Sequence, residues 1–183
     1  YRKNKSGRGS AVLHGIKSAL KNKKIEIFVE MDADFSHKPE ELNRNLSLFK
    51  KKKLDLLISS RYLKKSKIFN WSLQRRIFSR LANLSAKLLL NIGVSDYTNG
   101  YRIYSKKSAQ LITRKCGKIG DGFIVLSEIL LQIKLYNLKI DETSSIFINR
   151  KRGASSVNFK LIYQSFFGLI KLYFIKNNII NPY

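Results

Sequence analysis

The sequence predicts an α/β fold, in which helices cover a β-sheet. Between residues 10 and 60, patterns with helical spacing alternate with strand-like patterns, and this order favours parallel strands joined by helices. The chain has 183 residues, of which 44% are hydrophobic, enough for one domain with a substantial core. We therefore expect a sheet whose carboxyl-terminal edge carries a ligand site.

The first helices and strands are each indicated by a local pattern. Apolar residues at roughly helical spacing predict a helix over residues 10–21, behind a glycine-containing loop. Apolar and polar residues alternate over 24–32, as in a strand. Pro39 suits the first turn of a second helix, and the acidic residues after it suit the positive end of the helix dipole. The nearly continuous apolar run 54–60 is typical of a strand buried on both faces.

The rest of the chain continues the alternation. A long helical pattern over 70–93 is expected to end at Gly93. Asn99 and Gly100 predict a turn that leads into a short strand. The remaining predicted elements are a helix over 121–137, a strand or hairpin over 138–150 and a closing helix over 157–177.

The chain is strongly basic and has one cysteine. It contains 36 Lys and Arg against 12 Asp and Glu, a formal net charge of +24, which favours polyanionic partners: nucleic acid, anionic lipid headgroups or phosphorylated small molecules. Cys116 alone allows no intrachain disulfide and gives no sign of an oxidising compartment. No uncharged apolar run approaches the roughly 20 residues that a membrane-spanning helix needs.

Half of the acidic residues lie within residues 23–42. Asp32 and Asp34 stand two apart at the end of a predicted strand, so both side chains lean to one side while the chain stays extended. Such a pair can share Mg²⁺ or Mn²⁺, with phosphates and water completing the shell. Alternatively, Asp34 or Ser36 caps the following helix, which does not explain Asp32. Glu26 and Glu30 receive no role and are expected to face solvent or to pair with lysines. His14 and His37 have no partner spacing for a metal and are expected at the surface.

Six ordered blocks carry a resemblance to a known family. They are "KSGRGSAVLHGIKSA", "MDADFSHKPEEL", "LISSRYL", "WSLQRRIFSRLANLSAKLLL", "SDYTNGYRIYS" and "GDGFIVLSEILLQ". By these blocks, over about residues 2–173, the chain resembles the dolichyl-phosphate mannose synthase branch of glycosyltransferase family 2. The resemblance implies the nucleotide-diphospho-sugar transferase (GT-A) fold, a Rossmann-like mixed sheet flanked by helices. In that family an earlier strand binds the nucleotide base, so we expect this chain to lack it and to be inactive or poorly folded alone.

The resemblance also implies an activity. A sugar would pass, with inversion, from a nucleotide donor such as GDP-mannose or UDP-glucose to a polyprenyl phosphate, with Mg²⁺ or Mn²⁺ as cofactor. The protein would lie peripherally on the anionic cytoplasmic side of a membrane. One alternative is a family 2 transferase with a glycan or lipid hydroxyl acceptor, for which Asp121 or Glu128 would be the first general bases to test. Another is a basic nucleic-acid-binding domain, but no nucleic-acid motif is present and no such partner is expected.

The residues that match the family's site fall into groups. The metal would be held by Asp32 and Asp34, and the catalytic residues would be Asp34, Arg61 and Asp96. The donor diphosphate would be bound by Gly7, Gly9, Arg61 and Arg150, and the acceptor phosphate by Arg75, Ser79 and Arg80. Further matches around the same cleft are Thr98, Arg102 and Glu128. For the arginines the alternative is an exposed helix charge, and for the 96–102 block it is ordinary loop hydrogen bonding.

The end of the chain has two interpretations. Large aromatic residues stand among lysines over 158–183, which fits a helix lying in a membrane interface. A core helix packed on the sheet explains the apolar residues equally well. We therefore predict a GT-A glycosyltransferase domain over 1–157 and a C-terminal amphipathic helix over 158–183.

Overall fold

A computed structural model describes residues 7–149 and 159–180, and it contains a mixed sheet flanked by helices. The helices are α1 (Gly7–Ala19), α2 (Glu41–Lys51), α3 (Leu73–Leu90), α4 (Lys106–Lys115), α5 (Ile124–Leu135) and α6 (Phe159–Lys176). The strands are β1 (Ile27–Glu30), β2 (Leu56–Ser60), β3 (Lys67–Phe69), β4 (Arg102–Ser105), β5 (Ile140–Ser144) and β6 (Ile146–Ile148).

The main sheet has the strand order β1-β4-β2-β5. β4 runs antiparallel to both of its neighbours, whereas β2 and β5 are parallel. β1 and β2 therefore point the same way, as the alternating pattern predicts, but β4 separates them. The main sheet is therefore mixed, as the family resemblance implies. A second, smaller sheet pairs β3 and β6 in parallel, so the predicted hairpin over 138–150 is two strands of different sheets.

The core occupies both faces of the sheet. Leu56 and Ile58 of β2 join a large cluster that includes residues of α3, α4, α5 and α6, while Leu57 packs with Phe49 of α2 on the other face. All five residues of β2 are buried, which confirms the predicted doubly covered strand. α5 is buried along most of its length, because it lies among other helices rather than at the surface.

Some helix boundaries differ from the predicted ones. α1 begins at Gly7, three residues early, at a positive φ of 63° that glycine adopts readily. α3 ends at Leu90 rather than Gly93, because Asn91 takes the left-handed conformation of a helix terminus. α4 and β3 were not predicted. α4 begins where the Ser105 hydroxyl accepts a hydrogen bond from the Ser108 N–H.

α3 and α6 pack against each other and leave apolar side chains exposed. Leu169, Leu172 and Ile175 of α6 are buried in the core. The exposed large apolar residues of α6 include Tyr163, Phe166, Phe167, Tyr173 and Phe174. On α3 they are Leu73, Ile77, Phe78, Leu81, Leu84 and Leu88. In the part of the chain that the structure describes, no helix has the length and hydrophobicity to cross a bilayer.

Candidate active site

Some of the predicted site residues lie at the carboxyl ends of β1 and β2. Asp32 follows β1, and Arg61 follows β2 directly. The turn 96–100 lies at the same edge, because Arg102 at the start of antiparallel β4 stands opposite both Glu30 and Ile58. The strand pairing therefore brings together residues that are far apart in the sequence.

A buried ion pair connects β2 to this turn. Arg61 Nε and Nη2 donate to the two oxygens of Asp96 at 2.8 Å each, and the Arg61 backbone N–H donates to Oδ2 at 2.9 Å. Nη2 also donates to Thr98 Oγ1 at 2.7 Å. Burial alone would raise the pKa of Asp96, but the charge and hydrogen bonds of Arg61 hold it below its ordinary value.

The carboxylate of Asp96 is fully engaged by protein groups. Besides the contacts with Arg61, its Oδ1 accepts the backbone N–H groups of Thr98 and Asn99 at 3.2 and 3.0 Å. Arg102, which matches the same block, is also fully buried, and its nitrogens donate to the carbonyls of Asn99, Leu126 and Tyr97. Asp96 and Arg102 thus stabilise the turn, which is what the alternative interpretation of this block as ordinary loop hydrogen bonding predicts.

Two predicted phosphate-binding arginines contact one aromatic ring. The guanidinium carbons of Arg61 and Arg75 lie 5.4 and 4.3 Å from the ring centroid of Trp71. Arg75 Nη1 also donates to Asn149 Oδ1 at 2.7 Å. Trp71 is 7% exposed and makes an edge-on contact with Phe147. Sequence reasoning missed Trp71, whose role depends on contacts with distant residues.

The residues matched to the acceptor phosphate do not share one face of α3. Arg75 and Arg80 are five positions apart, so their Cβ atoms point about 140° apart around the helix. Ser79 accepts a hydrogen bond from the Tyr62 hydroxyl at 2.6 Å. Arg80 instead lines a cavity of about 260 Å³ together with Tyr62, Asn83, Leu84, Lys87 and Ser95.

The two strand-end carboxylates, Asp32 and Asp34, have different surroundings. The Asp32 side chain is 37% exposed, and its Oδ1 accepts Arg8 Nη2 at 3.0 Å. Asp34 Oδ1 accepts the Ser36 backbone N–H at 3.0 Å, a contact within the local turn. The alternative that Asp34 or Ser36 caps the following helix is wrong, because α2 begins at Glu41 behind Glu40 and has no side-chain cap.

His37 is buried rather than at the surface, so its predicted placement is wrong. It is 1% exposed and lies between the rings of Tyr101 and Phe147 at centroid distances of 5.2 and 5.3 Å. Its Nδ1 accepts the Asp32 N–H at 3.0 Å, which leaves Nε2 to donate to Asn99 Oδ1 at 3.1 Å. Burial lowers the pKa of His37, which favours this neutral tautomer.

Glu30 also departs from its predicted place. The alternating pattern places Val29 on the apolar face of the strand and Glu30 on the polar one. In the structure, β1 instead buries Phe28 and Glu30 and exposes Val29. Glu30 accepts the Tyr104 hydroxyl at 2.6 Å and forms an ion pair with Arg8 at 2.8 Å. Of the other residues without a role, Glu26 pairs with Lys106 at 2.7 Å and His14 is exposed, both as expected.

The glycines expected at the nucleotide site pack α1 against the start of α5. The N–H groups of Gly9 and Ser10 donate to the Asp121 carbonyl at 2.9 and 3.3 Å. A Cβ at Gly7 would overlap that carbonyl, and one at Gly9 would overlap Val125. These glycines therefore permit a close helix contact, and the Gly9 N–H is already occupied.

Glu128, which matches a position around the same cleft, contacts the loop before α5. It is fully buried, and its carboxylate accepts the Gly117 N–H at 2.7 Å. The remaining predicted phosphate contact, Arg150, lies outside the described residues together with the loop over 151–156.

The donor set at the strand ends fits a hard divalent cation. Two aspartate carboxylates are the ligands that Mg²⁺ and Mn²⁺ prefer, and Mg²⁺ commonly takes only one or two of them from a protein. Within 7–149 and 159–180, no group of three or more His, Cys, Asp or Glu side chains is placed to hold a metal ion. The two carboxylates therefore suit a cation whose remaining ligands come with a substrate. One oxygen of Asp32 already accepts a hydrogen bond from Arg8.

Comparison with known proteins agrees with this architecture. The model of "Glycosyl transferase family 2" matches residues 1–112. The chain is 31% identical over 167 residues to a polyprenol monophosphomannose synthase of Mycolicibacterium smegmatis, covering 91% of the chain and 62% of the relative. It is 31% identical over 159 residues to an undecaprenyl-phosphate mannosyltransferase of Micrococcus luteus, covering 86% and 63%.

The chain thus spans less than two thirds of the length of either relative. The family match covers more than half of the chain, and the mixed sheet flanked by helices agrees with the GT-A fold. The resemblance inferred from the six sequence blocks is confirmed: the chain belongs to glycosyltransferase family 2.

Proposed function

We propose that the protein transfers a sugar, with inversion, from a nucleotide-diphosphate donor to a polyprenyl phosphate. The observation that carries the proposal is the pair Asp32 and Asp34 at the same sheet edge as the arginine-lined turn. Both relatives are named for mannose and for a polyprenol or undecaprenyl phosphate. Mannose is therefore the first sugar to test, with GDP-mannose as donor and UDP-glucose as the alternative.

The reaction requires positive charge opposite the departing diphosphate. An acceptor phosphate oxygen attacks the anomeric carbon from the opposite face, while the bond to the diphosphate oxygen breaks and its electron pair leaves with the nucleoside diphosphate. A divalent cation, when bound, neutralises part of that charge. Asp32 and Asp34 would hold it. Arg61 is pre-positioned by Asp96, and Arg75 stacks on Trp71 beside it.

The state of the buried acids supports a phosphate acceptor over a hydroxyl one. A phosphate is already anionic at neutral pH and attacks without a general base, whereas a hydroxyl needs one. Among the described residues, the buried carboxylates of Glu30, Asp96 and Glu128 all accept hydrogen bonds from protein groups. Asp121 is exposed and is the remaining candidate for a general base.

We propose a peripheral position on the cytoplasmic side of a membrane, and the exposed apolar faces of α3 and α6 support the membrane contact. Amphipathic helices with aromatic and basic residues lie in the membrane interface and bind anionic lipid. A net charge of +24 adds attraction of about 1 kcal/mol for each Lys or Arg close to the surface. Such a position brings the site to a lipid-linked acceptor.

Transfer of labelled sugar tests the proposal. The purified full-length protein that contains this chain is incubated with labelled GDP-mannose or UDP-glucose, Mn²⁺ and a short polyprenyl phosphate, and the lipid product is extracted. We expect labelled lipid with one donor and its loss in Asp34→Ala. The absence of product with both donors contradicts the proposal. Product that instead requires a hydroxyl acceptor and disappears in Asp121→Asn would support the alternative transferase.

A further inference from the structure

Arg8 connects the first turn of α1 to the end of β1. Its Nη1 lies 2.8 Å from Glu30 Oε1, and its Nη2 donates to Asp32 Oδ1 at 3.0 Å. The Nη1 contact is not aligned as a hydrogen bond, so it is an ion pair held by charge and proximity. The side chains of Arg8, Glu30 and Asp32 are 24%, 7% and 37% exposed. One guanidinium therefore bridges a buried and an accessible carboxylate.

The surroundings of Arg8 hold it in this position. Its backbone is fixed because the neighbouring Gly9 N–H donates to the Asp121 carbonyl and Gly9 packs closely on Val125. The guanidinium lies against Gly100, where a Cβ would overlap Nη2. A side chain at position 100 would thus leave no room for the guanidinium in its present place.

We propose that Arg8 is a built-in counter-ion that competes with a divalent cation for Asp32. The inference rests on the metal-binding role proposed for Asp32 and Asp34. An arginine is charged at every physiological pH, so Oδ1 of Asp32 always has a cation beside it. A metal ion at Oδ1 competes with Nη2 for that oxygen, and a metal ion at Oδ2 is repelled by the nearby guanidinium charge, so Arg8 disfavours the cation at either oxygen.

Glu30 allows this exchange without expelling Arg8 from the site. When the Asp32 contact breaks, the ion pair between Nη1 and Glu30 still compensates the buried glutamate. Only one end of the guanidinium has to move. The arginine therefore lowers the metal affinity of the empty site while the buried charge of Glu30 stays paired.

Direct measurement of Mn²⁺ binding tests the competition. The dissociation constant is determined for the purified full-length protein without nucleotide, from the spectroscopic signal of free Mn²⁺. We expect Arg8→Leu to bind Mn²⁺ about tenfold more tightly, a coupling of ordinary size between two competing ligands. The matched control is Lys17→Leu, which removes the same charge from an exposed position of α1 and should leave the affinity unchanged.

A second variant guards against misfolding, since Arg8→Leu leaves Glu30 buried without its cation. Gly100 has no positive φ, and the closest atoms to a Cβ there belong to the flexible end of Arg8. Gly100→Ala should therefore fold, push the guanidinium away from Asp32 and tighten Mn²⁺ binding in the same direction. Unchanged, weaker or undetectable binding in both variants overturns the inference.

Asp32→Asn separates this inference from the proposed function. If Asp32→Asn abolishes Mn²⁺ binding while the Arg8 and Gly100 variants match the wild type, only the role of Arg8 fails. If Asp32→Asn leaves binding unchanged, the metal lies elsewhere, and both the role of Arg8 and the proposed metal site fail.

Discussion

Asp96 carries a carboxylate without exposure to water, and the charge of this carboxylate is compensated by the Arg61 guanidinium. Taking a charge out of water costs several kcal/mol, and here the bidentate contact with Arg61 offsets that cost. Removing one member of such a pair leaves the other as a buried charge without a partner. The resemblance implies a catalytic role for Asp96, whereas its contacts indicate that it holds Arg61 in place.

We expect Asp96→Asn to lower the free energy of unfolding by about 3–5 kcal/mol, because the Arg61 charge stays buried without its partner. Urea denaturation followed by circular dichroism measures the change. Asp141→Asn is the matched control: Asp141 pairs with Lys52 at 2.6 Å at the surface, where such pairs contribute at most about 1 kcal/mol. Equal losses in the two variants would contradict a structural role for the buried pair.

The same pair gives stability a pH dependence. Because the folded-state pKa of Asp96 is lowered, its contribution is complete above the unfolded carboxyl pKa of about 4. It is lost as pH falls from there through the folded pKa. We expect the stability difference between wild type and Asp96→Asn to shrink below about pH 4, as measured by urea titrations at successive pH values. A difference that stays constant in that range would exclude this linkage.

The contact between α1 and α5 leaves no room for a side chain at Gly9. A Cβ at Gly9 would overlap Val125, so the two helices could not stay at their present distance. We expect Gly9→Ala to destabilise the fold by about 1–3 kcal/mol through overpacking, measured by the denaturant midpoint.

The control for this element lies on the same helix. A Cβ at Gly15 would have no other atom within 4 Å, so Gly15→Ala should stabilise α1 by about 0.5–1 kcal/mol through its helix propensity. Opposite signs for the two alanine variants are expected. Stabilisation in both variants would show that helix propensity, not the contact with α5, dominates at Gly9.

The sequence predicts elements whose signal is local and misses those that depend on distant partners. β2 is readable as an apolar run because both of its faces are covered. The sequence does not indicate which face of β1 is buried, because the burial of Glu30 depends on its contacts with Arg8 and Tyr104. α4 is only ten residues long, which gives the periodic pattern fewer than three turns.

The site shows the same division. The carboxylates after β1 and Arg61 after β2 are predictable, since strand ends are where α/β sheets place ligands. The burial of His37 depends on Asn99, Tyr101 and Phe147, which come from other parts of the chain. No pattern around His37 indicates them. Arg8 is missed for the same reason, because its partners lie on β1 and in the turn before β4.

The whole molecule combines a large positive charge with the exposed apolar faces of α3 and α6. We expect the full chain to bind vesicles that contain anionic lipid and to bind neutral vesicles more weakly, with the difference reduced by salt. Burying a half-exposed apolar side chain contributes on the order of 1 kcal/mol. Leu81→Ser and Phe166→Ser, on α3 and α6, should each weaken vesicle partitioning about fivefold in co-sedimentation.

Val29→Ser provides the comparison for this measurement. Val29 is 41% exposed but belongs to β1, at the edge of the sheet. Its loss should leave partitioning unchanged. A similar decrease in all three variants would point to general hydrophobicity rather than to the faces of α3 and α6.

The position of β4 between β1 and β2 has a consequence for synthesis on the ribosome. β1 and β2 pair with β4, not with each other, so neither can join its neighbour until Ser105 has been made. At about 5–20 residues per second, β2 waits on the order of 2–9 seconds for that strand. During this interval the apolar Leu56, Leu57 and Ile58 remain available to chaperones, and the sheet is complete only when β5 has also been made.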